Sequence, residues 1–161
     1  MGAEDWVVSV FRDGYRIPFD TLPPLASRPL VFGTYVPGSA RAQALAGAIH
    51  DLIAKGAIET VSDGPGFYSR LFVVPKASGG FRPVLDLSTL NTFVHKTPFR
   101  METVRSVLEA VRQDDWMVSL DLQDAYLRVP MHPDSRRFLQ FVWRDQVFQF
   151  QVLCFCLSTA P

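Results

Sequence analysis

A surplus of charge of either sign is what this 161-residue chain most conspicuously lacks: 16 Lys and Arg face 16 Asp and Glu, for a formal net charge of zero. A free-standing nucleic-acid binder usually carries a basic excess, because phosphate contacts dominate its affinity. The balance therefore argues mildly against nucleic acid, unless positive charge is gathered on one face or acidic residues hold a cation. Cysteine is also scarce, with Cys154 and Cys156 the two present. Two thiols cannot close a four-ligand zinc site, and they do not make a secreted disulfide scaffold. No apolar run reaches bilayer length. The opening Met-Gly-Ala-Glu-Asp-Trp has neither the basic nor the apolar part of a secretory signal, and Trp6 stands where a myristoylation signal needs Ser or Thr. The expected location is intracellular, cytoplasmic or nuclear, with no membrane partner.

What is present is globular. Apolar residues make up 48% and charged residues 20%, and 12 prolines imply many forced turns. Residues 1–35 show no long period and are expected to form an arm packed on the rest of the chain, with Trp6 to Phe11 a short strand or helix. Ser39 is placed to cap a helix whose Leu45, Ile49, Leu52 and Ile53 share one face, and Gly56 to end it in a left-handed turn. Ala57–Val61 reads as a short strand. Arg70–Pro75 and Phe81–Leu87 read as a β-hairpin with Lys76 and glycines at its tip. A second helix is expected near Glu102–Arg112, with Val104, Val107, Leu108 and Val111 inward. A buried strand is expected at Trp116–Leu120, ending at Asp121. Phe138–Trp143 and Val147–Val152 read as another hairpin, turning at Arg144-Asp145-Gln146. Helices and strands alternate in an irregular order, so the class is α+β.

Two segments carry candidate chemistry. In Ser119-Leu120-Asp121-Leu122-Gln123-Asp124-Ala125-Tyr126 a carboxylate follows an apolar strand, where polar groups can face a cleft. Two-metal phosphoryl transfer needs such fixed carboxylates, because Mg²⁺ takes oxygen ligands in a nearly octahedral shell. Taken alone, the segment reads more readily as Asp121 and Asp124 capping a turn after a core strand. In the hairpin, Lys76 and Arg82 flank a glycine turn and can clasp a triphosphate, Arg as a planar fork and Lys as a point charge. The plain alternative is a solvated tip with surface cations. Asp86 and Asn91 are better suited to fixing local backbone than to touching substrate.

Taken in order, the segments say more. Lys55-Gly56-Ala57-Ile58-Glu59, Phe67-Tyr68-Ser69-Arg70, the Lys-Gly-Gly-Phe-Arg-Pro hairpin with Leu90-Asn91, Leu120–Tyr126 and Leu157-Ser158-Thr159-Ala160-Pro161 succeed one another at spacings that resemble retrotransposon reverse transcriptases. The wording Phe81-Arg82-Pro83-Val84-Leu85-Asp86-Leu87 and the ending Leu-Ser-Thr-Ala-Pro are most similar to the DIRS-like, tyrosine-recombinase type. The resemblance covers roughly 36–161. It implies fingers and an incomplete palm of a right-hand polymerase fold: an arm at 1–35, a fingers-like region at 36–115 and a partial palm at 116–161.

By that resemblance Asp121 binds catalytic Mg²⁺ and Leu122 lends its backbone carbonyl. Asp124 and Ala125 meet the incoming triphosphate through backbone amides, and Tyr126 sits under the sugar and excludes a 2′-hydroxyl. Lys76 and Arg82 close over the β- and γ-phosphates. The implied partners are an RNA or DNA template–primer and deoxynucleotides.

The chain departs from the pattern in two places. After Tyr126 the aspartates are Asp134 and Asp145, neither with an Asp neighbour, so the paired-aspartate motif is absent and with it most of the fixed charge of a two-metal centre. Cys154 and Cys156 stand where the resembling elements usually have Pro and Gly, which places the nucleotide side of the pocket in question. The pair, like His50, His95 and His132, is not read as a ligand set. Because Val147–Pro161 carries no charge, an unpaired strand edge there would invite self-association and disorder beyond about Phe138. The readings are therefore a polymerase fragment that is inactive alone, a nucleic-acid-binding module, or an interaction remnant without catalysis.

Overall fold

The computed structural model describes residues 3–33, 35–77, 79–96, 103–119, 121–122 and 124–159. The expected starting point of the second helix at Glu102, together with Leu120, Gln123, Ala160 and Pro161 of the motifs, lies outside the described residues. The elements are α1 (Ala3–Asp13), α2 (Ala40–Ala54), β1 (Ile58–Val61), β2 (Leu71–Pro75), β3 (Phe81–Leu85), α3 (Val104–Ala110), α4 (Pro133–Arg136), β4 (Gln140–Trp143) and β5 (Gln146–Phe150). Short 3-10 turns occupy Leu90–Thr92 and Ala125–Arg128.

Helix α2 begins where Ser39 Oγ accepts the Ala42 amide at 3.2 Å. It ends where Gly56 turns left-handed at φ 63°. Its Leu45, Ile49 and Leu52 are buried, whereas Ile53 lies outside the buried face. Helix and turn deliver the chain into β1.

The strands form two sheets. One is antiparallel with order β1-β5-β4, and the other is the β2-β3 hairpin. The β4-β5 turn places Arg144 and Asp145 in the left-handed region, at φ 49° and 59°, as a two-residue hairpin requires. On one face Phe141 and Phe148 are almost wholly buried, their rings stacked 5.4 Å apart. The other face carries a polar ladder. Glu59 accepts from Gln149 Nε2 at 2.8 Å and from Arg136 at 3.2 Å, and Gln149 Oε1 accepts from Gln140 Nε2 at 3.3 Å. Glu59 can only accept while ionised, so it sets the direction of both amides.

The β2-β3 hairpin tolerates two prolines for a reason visible in its register. Val73 pairs with Pro83, yet its N–H and C=O are taken by the Tyr35 hydroxyl, at 3.0 and 3.3 Å. The pair is therefore the non-hydrogen-bonded kind, where the missing proline N–H would point away from β2. Tyr35 serves as a one-residue neighbour for the outer edge of β2.

Three residues of the 1–35 segment pair with later parts of the chain. Tyr15 bridges to Met131, Phe19 to Val94 and Ala26 to Gly66. Its first part is helix rather than strand, in α1.

Three expectations are corrected. Trp116–Val118 does not form a buried strand: Trp116 is fully exposed, and Met117 and Val118 are largely so. A strand is held only against a neighbour, and among the described residues none pairs with 115–119. Helix α3 forms, with Thr103 and Ser106 in a reciprocal capping box, but Val104, Val107, Leu108 and Val111 face outward rather than inward. Third, Val147–Phe150 is no free edge. It is the central strand, and β4 is covered in turn by Phe67 and Ser69. The unpaired β5 edge on which the expectation of self-association and disorder past Phe138 rested is therefore filled, because β1 supplies the partner from far upstream. The same pairing carries one sheet and one core across the 115/116 boundary drawn from the sequence.

Candidate functional site

The hairpin has an inner and an outer face. Val73 and Leu85 point into the core, while Arg82, opposite Val74, points out. Lys76 lies two residues beyond Val74, so it and Arg82 share the outer face as diagonal neighbours. Both are exposed. Lys76 N–H donates to the Gly80 carbonyl at 3.0 Å, and Gly79 and Gly80 adopt φ near 90° and 78°, closing a tip that side-chained residues would strain.

Further down that face, Asp86 accepts from the Ser88 hydroxyl at 2.6 Å and the Ser88 amide at 3.1 Å. Those bonds hold its carboxyl below the ordinary range. Asn91 then reaches across 65 residues. Its Nδ2 donates to the Cys156 carbonyl at 2.7 Å, and its Oδ1 accepts the Ser158 amide at 2.9 Å. As expected, Asp86 fixes local backbone, whereas Asn91 fixes a distant segment instead of a local one.

That clamp holds 156–158 against the 90–92 turn that follows the hairpin. Cys156 is half-buried, and burial together with the nearby Asp86 charge raises its thiol pKa, while Arg82 opposes the shift. Cys154, on the core side, is pushed up to about 12 by burial. Between them Phe155 faces solvent and packs against Tyr126, ring centroids 4.2 Å apart. Tyr126 also leans on the core. Asp124 adopts the left-handed conformation, φ 54° and ψ 37°, just before the 3-10 turn. Its Oδ2 meets Lys55 Nζ at 2.8 Å.

The Phe155–Tyr126 ring contact, the turn through Ala125 and the Asp124–Lys55 ion pair thus form one linked group, and Cys156 at its edge feels the charges of Asp86 and Arg82. Asp121 and Leu122 are exposed in a stretch without regular structure. Asp134 sits in α4, paired with Arg16 at 2.9 Å, and Asp145 in the hairpin turn. Among the described residues no group of three or more His, Cys, Asp or Glu is placed to hold a metal ion. One carboxylate and one carbonyl do not fit a two-magnesium centre. Sequence reasoning passed over Lys55 and Tyr35. Their partners lie 69 and 38 residues away, and no local pattern signals them.

The chain shares its fold with part of a foamy viral protease-reverse transcriptase. The structure of that protein in complex with double-stranded DNA superposes with TM-score 0.67 at 20% identity, over 91% of this chain and 26% of that one. The native prototype foamy virus protein superposes at 0.62 and 17%, over 98% and 22%. In sequence, the chain is 31% identical over 101 residues to the Gag-Pol polyprotein of bovine immunodeficiency virus, covering 62% of this chain and 7% of that protein. It is 28% identical over 88 residues to the transposon Tf2-3 polyprotein of Schizosaccharomyces pombe, covering 55% and 7%. The enzymatic polyprotein of Cestrum yellow leaf curling virus matches at 29% over 115 residues, covering 69% and 18%. No protein-family model matches. The chain is therefore related to retroviral and retrotransposon polyproteins, and it spans less than a tenth of the first of these relatives. Among the described residues no helix is long and apolar enough to cross a membrane.

Proposed function

We propose that this chain is the front part of an RNA-directed DNA polymerase from a retroelement of the DIRS-like type, comprising fingers and an incomplete palm. The observation that carries the proposal is the clamp by which Asn91, just after the hairpin that bears Lys76 and Arg82 on one face, holds the segment whose Phe155 packs on Tyr126. In the parent reaction a template–primer 3′-hydroxyl receives a deoxynucleotide. Lys76 and Arg82 hold the β- and γ-phosphates, more strongly as water is excluded. The backbone of Asp124 and Ala125 receives the triphosphate, and the Tyr126 ring, braced by Phe155, leaves no room for a 2′-hydroxyl.

Magnesium is expected of the parent, with Asp121 and the Leu122 carbonyl as contributors. The described residues do not complete such a site, so no step is derived through it, and the chain by itself is proposed to be inactive in polymerisation. The incomplete metal set favours a second reading, a template–primer-binding module that acts without chemistry. Related foamy viral structures hold double-stranded DNA and an RNA/DNA hybrid, which supports nucleic acid as the partner under either reading.

The test is binding to a labelled RNA/DNA hybrid at several salt concentrations. Salt-sensitive binding that survives Asp121→Ala and weakens in Lys76→Ala and Arg82→Ala is expected. Binding indifferent to both cations would remove the support for this site.

A further inference from the structure

Lys55 has no role in the polymerase reading, yet its ammonium makes the ion pair that ties α2 to the segment bearing Ala125 and Tyr126. We propose that Lys55 is a positioning residue for the triphosphate side of the site, holding the Asp124 corner in place and cancelling the Asp124 charge. The inference rests on the polymerase reading.

Three observations carry it. First, Asp124 is in the left-handed region, which aspartate enters more readily than most side-chained residues, commonly with its side chain bonded locally. Asp at the head of a turn ordinarily spends its carboxylate on the following amides. Here the side chain makes no capping bond and is given to Lys55 instead. The corner is thus fixed from outside, by Lys55, together with the Leu127 amide that donates to the Asp124 carbonyl at 2.9 Å.

Second, Lys55 has a firm base. It is the C-cap of α2, its amide donates to the Asp51 carbonyl at 3.0 Å, and Ala57 N–H returns to Leu52 at 2.9 Å. The helix beneath it is anchored by Ile49, which is fully buried. A cation at a helix C-terminus is also favoured by the helix dipole.

Third, the charges are wrong without it. A carboxylate beside the place assigned to a triphosphate repels it, and an ammonium 2.8 Å away cancels that field. The two side chains are 48% and 37% exposed, so water screens the effect without abolishing it. The exposure also means that Lys55 can be replaced without disturbing the core.

The test uses the 161-residue chain with magnesium present, titrated with dTTP and, separately, with inorganic tripolyphosphate, and followed by amide chemical shifts. Lys55→Ala is expected to weaken both ligands by about fivefold and to speed hydrogen exchange at residues 124–128. Lys55→Arg should keep wild-type behaviour, and Lys55→Ala/Asp124→Asn should regain most of the affinity, since the uncompensated charge is gone. Unchanged affinity in Lys55→Ala, with Lys76→Ala still weakening, would overturn the inference and leave the polymerase reading standing. A loss in Lys55→Ala that Asp124→Asn does not relieve, with exchange at 124–128 unchanged, would mean that Lys55 touches phosphate directly and would overturn the positioning role. No binding by the wild-type chain, or binding indifferent to both Lys76 and Arg82, would overturn the reading and the inference together.

Discussion

The β1-β5-β4 sheet and the 103–122 stretch are built from the same kinds of residue and end in opposite states. Val147 and Phe148 are buried between two strands, while Val118 and Trp116 stand in solvent. Apolar and β-branched residues favour strands only where a neighbour accepts their backbone bonds and covers their side chains. In the sheet that neighbour, β1, arrives from about 90 residues upstream. For 115–119 no neighbour stands among the described residues. Burial, then, belongs to the pairing rather than to the apolar run.

The contrast can be broken most directly by truncation on each side. Phe148→Ala removes a fully buried ring and should cost about 3–5 kcal/mol in urea unfolding. Trp116→Ala, although it removes a larger side chain, should change stability by no more than about 0.5 kcal/mol. A large loss from Trp116→Ala would mean that this stretch is packed after all.

A smaller effect is expected where the two regions are tied. Asn91→Ala takes away both bonds to 156–158 and leaves a carbonyl and an amide to find water, at a cost of about 1–3 kcal/mol. Tyr126 fluorescence quenching or ring shifts should report the loosened Phe155 contact in the same variant. If the ring contact is unmoved, the clamp does not position the pocket.

The smallest effect is chemical and needs no substitution. Iodoacetamide at mildly alkaline pH should label the half-buried Cys156 well before Cys154, whose thiol is buried and pushed up to about 12. In urea the two should react alike. Equal native rates would contradict the placement of 154 on the core side.

Much of the fold is legible in the sequence where the signals are local. Ser39 and Gly56 bound α2, the glycines after Lys76 close the first hairpin, and Arg144-Asp145 turns the second. Asp86 reads as a local backbone fixer, which its bonds to Ser88 bear out, while Asn91, read the same way, bonds to 156–158 instead. What periodicity does not reveal is which faces have something to pack on. The valines of α3 and the run at Trp116 have core-like patterns, and a pattern states a preference without supplying the partner. Long-range pairs are equally silent. Nothing near Lys55 announces Asp124, and nothing near Tyr35 announces Val73.

One carboxylate stands isolated: Asp121 is exposed, and no cluster of metal-ligating groups forms among the described residues. Primer extension by the homogeneous 161-residue chain, supplied with an RNA template, a DNA primer, deoxynucleotides and Mg²⁺, tests the importance of that isolation most directly. The expected result is no extension, with hybrid binding intact. Extension by the wild-type chain that disappears in Asp121→Ala would contradict it.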